Sequence, residues 1–251
     1  MYQEPLFWLF PMGATVVSIV AFAVFATPLT WLAVADPEWA RPYKIQTRRP
    51  DPKTVIWPAI RLWLRNNLAM TALAAVSWPL LRLSSVHCTG LPSLPEVIGH
   101  LLLFLLVDDF LYYWMHRAFH TKWLYRHVHR VHHKVVTPWA VTGHHMHWIE
   151  YCATGFLMLL GPLAVGAHCF TIWAWVAWRQ WEAAEGHCGY SFPWSPSKLV
   201  PLYDGVEYHD FHHAKFNGNY AGFLSYLDGV FGEYSKGYRE YMDAKRRRNR
   251  D

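Results

Sequence analysis

Apolar positions along this chain gather into long unbroken runs. Residues 6–35, LFWLFPMGATVVSIVAFAVFATPLTWLAVA, carry no charge. As a helix rising about 1.5 Å per residue, such a run reaches across a hydrocarbon core of roughly 30 Å. It is too long for a cleavable signal peptide and lacks a basic leader, so it is expected to stay as an anchor. A loop rich in Pro and Arg is predicted over 36–54. A second apolar segment, 66–83, follows Arg61 and Arg65, whose stems can snorkel to an interface. The Gly/Pro-rich stretch 89–95 turns the chain into a third segment, EVIGHLLLFLLVDDFLYYWMHR. The run 151–178 is uncharged but broken at Gly161-Pro162 and again at Gly166. It reads either as one span or as two short helices joined at Gly161-Pro162.

At the foot of the third segment stands HRAFHTKWLYRHVHRVHH, residues 116–133. The chain holds 16 histidines, and their spacing says more than their number. His116 and His120 are i and i+4, one face of a helix. His129, His132 and His133 are i, i+3 and i+4, and His209, His212 and His213 repeat that geometry. Three clusters able to aim imidazoles at a common point make a metal site, because neutral imidazole is the commonest biological metal ligand. With His147 and His187 added, the ligands suffice for two ions of four or five imidazoles each. Imidazole suits iron, zinc, copper and nickel alike, so zinc can take the place of iron in a purified sample. His87, His100 and His168 read as ordinary core histidines. His127 lies on the opposite side of its helix from His129, and His144 and His145 fall in a loop.

The histidines choose between the two readings of 151–178. A single span would put His187 and the last cluster across the membrane from His116–His133, whereas a hairpin brings them back to the same side. The expectation is an all-α integral membrane bundle of about four membrane helices, including a hairpin at 151–178, with a cytosolic helical cap. Residues 1–94 form the anchor helices and basic loop, 95–241 the catalytic region and 242–251 a basic tail. The basic clusters Arg41, Lys44, Arg48, Arg49, Lys53 and Lys245, Arg246, Arg247, Arg248, Arg250 fall on the histidine side, which should face the cytoplasm. Beside apolar spans such tracts mark anionic lipid, not nucleic acid. Only 16 % of residues are charged, against about 25 % in soluble domains. The four cysteines form no C-x-x-C pair and are expected as buried thiols rather than disulfides.

Two ions held by neutral ligands need carboxylates nearby. Asp109 shares a helical stripe with Tyr113 and His116 and is a candidate to orient a ligand from behind; Glu150 and Glu182 are further candidates. No dinucleotide fingerprint, P-loop, H-E-x-x-H or G-x-S-x-G is present, and no haem signature. If the metals are redox-active, electrons must come from another protein. A membrane metal transporter is the rival of another class. It would want ionisable residues deep inside the spans, and these histidines collect at the ends.

Residues 95–241 resemble the membrane-bound fatty acid hydroxylase and sterol desaturase superfamily, and within it the methylsterol monooxygenases. The resemblance rests on the H-x-x-x-H, H-x-x-H-H, H-x-x-H-H signature, on HCGY, on YHDFHH followed by GNYA, and on the final FG-x-x-x-x-GYR. It implies a membrane bundle holding two non-haem irons in the endoplasmic reticulum, or in the inner membrane of a bacterium. Dioxygen and electrons from NAD(P)H, through cytochrome b5 or a b5 reductase-type donor, would oxidise the carbon-4 methyl group of a sterol. The matched ligands are His116, His120, His129, His132, His133, His147, His187, His209, His212 and His213, with no further catalytic residue. Other members, such as sterol desaturases and sphingoid or fatty-acyl hydroxylases, remain open. Ser191 and the His145-Met146 pair depart from the family pattern near the expected substrate cavity. Among the tryptophans, Trp114, Trp139, Trp148, Trp173, Trp175, Trp178 and Trp181 are candidates to line that cavity or to pack as belt and core.

Overall fold

A computed structural model describes residues 2–200 and 202–248, and no strand occurs among them. Helix α1 spans Pro5–Ala35, with one wide turn at Trp8–Met12 where Pro11 removes a donor. It stops at Asp36, which takes a left-handed conformation and pairs with Lys44 at 2.6 Å. Helix α2 runs Pro52–Leu81, starting well before the expected 66. The Asp51 side chain accepts from Lys53 N, and Pro52 takes the first turn, where its missing N–H costs nothing. Helix α3, Leu94–Phe119, begins in the same way on Ser93, which accepts from Glu96 N. A short α4, Lys122–His127, leads into tight 3-10 turns at His129–Lys134 and Ala140–His144.

Helix α5, Trp148–Val165, and helix α6, Cys169–Gly186, form the expected hairpin. Its reversal lies later than expected, at Gly166 rather than Gly161-Pro162. Gly166 adopts φ +60, and a Cβ there would stand 2.5 Å from that of Ser85, so only glycine fits the corner. Pro162 needs no break because it falls in the first turn of the 160–165 segment. Among the described residues, five helices of at least 18 residues build the bundle: α1, α2, α3, α5 and α6. Two of these, α1 and α5, are long and apolar enough to cross a membrane on their own. Helices α7 (Gly205–Lys215), α8 (Tyr226–Phe231) and α9 (Tyr238–Arg248) complete the cap. The side chains of the basic tail, Lys245, Arg246, Arg247, Arg248 and Arg250, lie outside the described residues.

The outer surface of the bundle is apolar in stripes. On α3, Ile98, Leu102, Leu106 and Phe110 recur every four residues and are 47–55 % exposed. Val16, Val20 and Val24 recur likewise on α1 and are 55–61 % exposed. A water-soluble protein does not leave such stripes uncovered; lipid solvates them. Polar side chains turn inward instead. Asn66 donates to Met146 O, and Tyr151 donates to Asn67. Arg179 lies 3.1 Å from Asp108, both buried.

The two ends of the bundle differ in chemistry. At one end Glu4 pairs with Arg82, and Cys88 is disulfide-bonded to Cys169, correcting the expectation of free thiols. The sequence hid this pair because 81 residues separate its members. The hairpin corner brings them together through a short bridge between His87 and His168. Cys152 and Cys188 are free and buried, as expected. At the other end lie the loop after Asp36, the foot of α3, and the histidines.

Candidate metal centre

Nine imidazoles converge at that end in two groups. His116, His120, His129, His133 and His212 form one, and His132, His187, His209 and His213 the other. Within each group all potential ligand atoms lie within 4.8 Å of one another. The groups adjoin, with the rings of His133 and His213 5.0 Å apart. Adjacent residues part company: His132 joins one group and His133 the other, and on α7 His212 leaves the face shared by His209 and His213.

The protein fixes the orientation of most rings from behind. His116 Nδ1 donates to Tyr220 O at 2.7 Å and His212 Nδ1 to Gly218 O at 2.6 Å. His213 Nδ1 donates to Val135 O, His187 Nδ1 to Ala183 O, and His129 Nδ1 to Glu150 at 2.7 Å. A carbonyl or carboxylate can only accept, so the proton sits on Nδ1 and Nε2 is left with its lone pair. Two of these Nε2 atoms, those of His213 and His187, then face each other at 3.2 Å, and that of His129 lies 2.9 Å from His133 Nε2. His116 Nε2 is buried with no hydrogen-bond partner. Lone pairs brought this close repel unless a cation lies among them, so the donor set fits two metal ions. Burial holds His132, His209, His212 and His213 well below the ordinary histidine range, pushes His120 down to about 3, and lowers His187 to about 4. All are neutral at pH 7, the form a metal takes.

The loop 217–224 supplies two of the anchoring carbonyls and is itself pinned by carboxylates. Asp228 accepts from Tyr220 N at 2.9 Å, from Ala221 N at 2.8 Å and from the Tyr208 hydroxyl. Asp109 accepts from Phe223 N and Leu224 N. Asp109 therefore steadies His116 through the loop that carries Tyr220, without touching the imidazole. Asn219 ties the same loop to Tyr208 O and Ser235 N.

Two of the expected residues stand elsewhere. His147 lies outside both groups; its Nδ1 accepts from Ile149 N at the start of α5, the position of a helix cap. Glu182 makes no hydrogen bond to an imidazole among the described residues and holds Arg179 at 2.6 Å. His127 points to Trp123 O. His144, read as a loop residue, is buried against Gln180 Oε1 and sits beside His187. The sequence offered no periodic signal for His144 or Asp228.

An open-mouthed cavity rises from the second group into the bundle. His132, His187 and His209 line its inner end; Pro11, Ala14, Met70, Leu81 and Met158 line its apolar reach. No tryptophan lines it: Trp175 packs in the core, and Trp114 and Trp148 are exposed. Met146 lines the cavity, but Ser191 does not, its amide donating to Tyr43 O.

An all-helical bundle with lipid-facing stripes, a buried imidazole centre and an apolar cavity ending on that centre defines a membrane-bound oxidoreductase of lipid chemistry. The chain belongs to the fatty acid hydroxylase family, which it matches over residues 101–233. It is 39 % identical over 207 residues to methylsterol monooxygenase 2-2 of Arabidopsis thaliana, covering 81 % of this chain and 77 % of that relative. A methylsterol monooxygenase 1-3 of the same plant is 36 % identical over 230 residues, 88 % of this chain and 78 % of its own length. A very-long-chain aldehyde decarbonylase of Oryza sativa subsp. indica is 41 % identical over 204 residues, 79 % and 75 % of the two chains. No solved structure matches the chain.

Proposed function

We propose that this protein is a non-haem diiron monooxygenase that oxidises the carbon-4 methyl group of a sterol. The observation that carries the reading is the cavity ending on His132, His187 and His209, together with the relatives named as methylsterol monooxygenases. His116, His120, His129, His133 and His212 would hold one iron, and His132, His187, His209 and His213 the other. When bound, the iron pair would supply the reduction of dioxygen that an unactivated methyl group requires. The chain's own part is positioning. Apolar walls take the sterol rings out of lipid, the Nδ1 anchors keep the imidazoles aimed, and the packed inner end excludes bulk water.

No cofactor-binding motif for a reductant exists in the chain, so electrons would come from NAD(P)H through cytochrome b5 or its reductase. The histidine end would face the cytosol and the disulfide end the lumen of the endoplasmic reticulum. Two observations support that orientation. Arg41, Arg49, Arg117 and Lys122 gather at the histidine end. The Cys88–Cys169 disulfide lies at the opposite end, suited to an oxidising compartment.

The aldehyde decarbonylase name of the rice relative favours a second reading, a long-chain aldehyde in the same cavity. Purified protein loaded anaerobically with ferrous iron separates the two when supplied with an electron donor chain and labelled dioxygen. With a 4-methylsterol, label should appear on the carbon-4 methyl and vanish in His132→Ala. Unchanged sterol together with conversion of a long-chain aldehyde would overturn the sterol reading.

A further inference from the structure

One polar group on the cavity wall has no task in the metal centre. Glu182 lies on α6 five residues before His187, about 7.5 Å along the helix axis, and both line the cavity. Its Oε2 is held by Arg179 Nη1 at 2.6 Å, and Arg179 is backed by Asp108. No hydrogen bond reaches Glu182 Oε1 among the described residues, and that oxygen is absent from the buried atoms lacking partners. Its side chain keeps 15 % of its surface open. Several other polar groups of the wall are occupied: Tyr151 donates to Asn67, His144 meets Gln180, and Thr15 donates to Pro11 O. The wall thus presents a carboxylate oxygen, held in place by Arg179 and with an unused acceptor site, inside a mostly apolar cavity and near its reacting end.

We infer that Glu182, clamped by Arg179, is the receptor for a hydroxyl group on the carbon next to the one that bears the oxidised methyl. The inference rests on the sterol reading above. In a sterol the ring hydroxyl is on carbon 3, beside carbon 4. A short chain of atoms, from the hydroxyl through two ring carbons to the methyl, then bridges the gap between Glu182 and the imidazoles of the second group. Such an acceptor selects a hydroxyl donor over a ketone, which can only accept, and over a hydrogen, which leaves the buried carboxylate unanswered. Glu182 acts on specificity; it does not take part in the oxidation.

The test is equilibrium binding of a radiolabelled 4,4-dimethyl-3β-hydroxysterol to the full-length, metal-loaded protein in nanodiscs, without reductant so that nothing turns over. The 3-keto and 3-deoxy analogues serve as competitors. Wild type should prefer the hydroxysterol by about tenfold or more. Glu182→Gln places an amide donor where the free acceptor stood and should shift the preference toward the ketone. Glu182→Ala should remove the discrimination while two metals per chain are retained. If both variants keep the hydroxyl preference, Glu182 is not the receptor and the sterol reading stands. If wild type binds all three sterols equally, the inference fails by itself, whether or not the variants fold. If wild type binds none of them, the sterol reading falls and the inference with it.

Discussion

Glu150 Oε1 accepts the Nδ1 proton of His129 at 2.7 Å, and both residues are buried. It is the one side-chain carboxylate seen to orient a ligand directly among the described residues; the other anchored rings use backbone oxygens. Glu150→Ala should lower metal affinity by roughly 10–100-fold, the usual consequence of removing such a partner. Titration with a competing chelator measures it. Glu150→Gln, which keeps an acceptor oxygen, should recover part of the loss. Unchanged affinity in the alanine variant would mean that His129 needs no orientation.

The contrast between His187 and His147 tests the division into groups. His187→Ala should reduce the bound metal from two ions per chain toward one and abolish turnover. His147→Ala should keep both ions and cost about 0.5–2 kcal/mol of stability as a lost helix cap. Elemental analysis of the two purified variants reads the difference. Metal loss in the His147 variant would return that residue to the ligand set.

Asp228 carries the loop that aims His116 and His212. Asp228→Asn keeps the size but weakens charge-assisted bonds to Tyr220 N and Ala221 N, each worth about 1.5–3 kcal/mol. Thermal unfolding in detergent should show a clear fall in midpoint, with or without metal. Asp109→Asn should do the same through Phe223 and Leu224, to a smaller extent because it holds two amides only.

Acid should unfold the metal-free protein early. Burial lowers His120 to about 3 and His187 and His144 to about 4 in the folded state, against about 6.5 when unfolded. Below pH 6.5 the unfolded chain binds protons that the folded chain refuses, so stability falls as pH drops from 6.5 toward 4. Each such histidine contributes about 1.4 kcal/mol per pH unit in that window. The thermal midpoint of chelated protein, followed from pH 7.5 to 5, should be flat at the top and drop steeply below 6.5. A midpoint unchanged across that range would contradict neutral burial of the imidazoles.

Much of this was legible in the sequence. Uncharged runs gave the helices, and histidine spacing of three and four gave the clusters. The partition of neighbours was not, because which way His132 and His133 point depends on a 3-10 turn at His129–Lys134 that binary pattern does not distinguish from an α-helix. The helix-capping place of His147 was hidden for a similar reason: a histidine before an apolar run looks the same whether it binds metal or a backbone amide. Cys88 and Cys169 carry no local signal at all, since only the meeting of two distant turns makes them neighbours. The helical stripe aimed Asp109 at His116, whereas its carboxylate accepts from Phe223 N and Leu224 N of loop 217–224.

Four of the anchored imidazoles take their orientation from main-chain oxygens, those of Tyr220, Gly218, Val135 and Ala183. No exchange of side chain deletes such an acceptor, so a scan of substitutions would pass over much of what aims the centre. The exception is Gly218. Its φ of +77 and the 2.4 Å that would separate a Cβ from Glu233 O admit no other residue. A position with no functional group therefore belongs to the metal centre as fully as His212, because the path of its backbone is the only means by which the genetic message can specify where that oxygen stands.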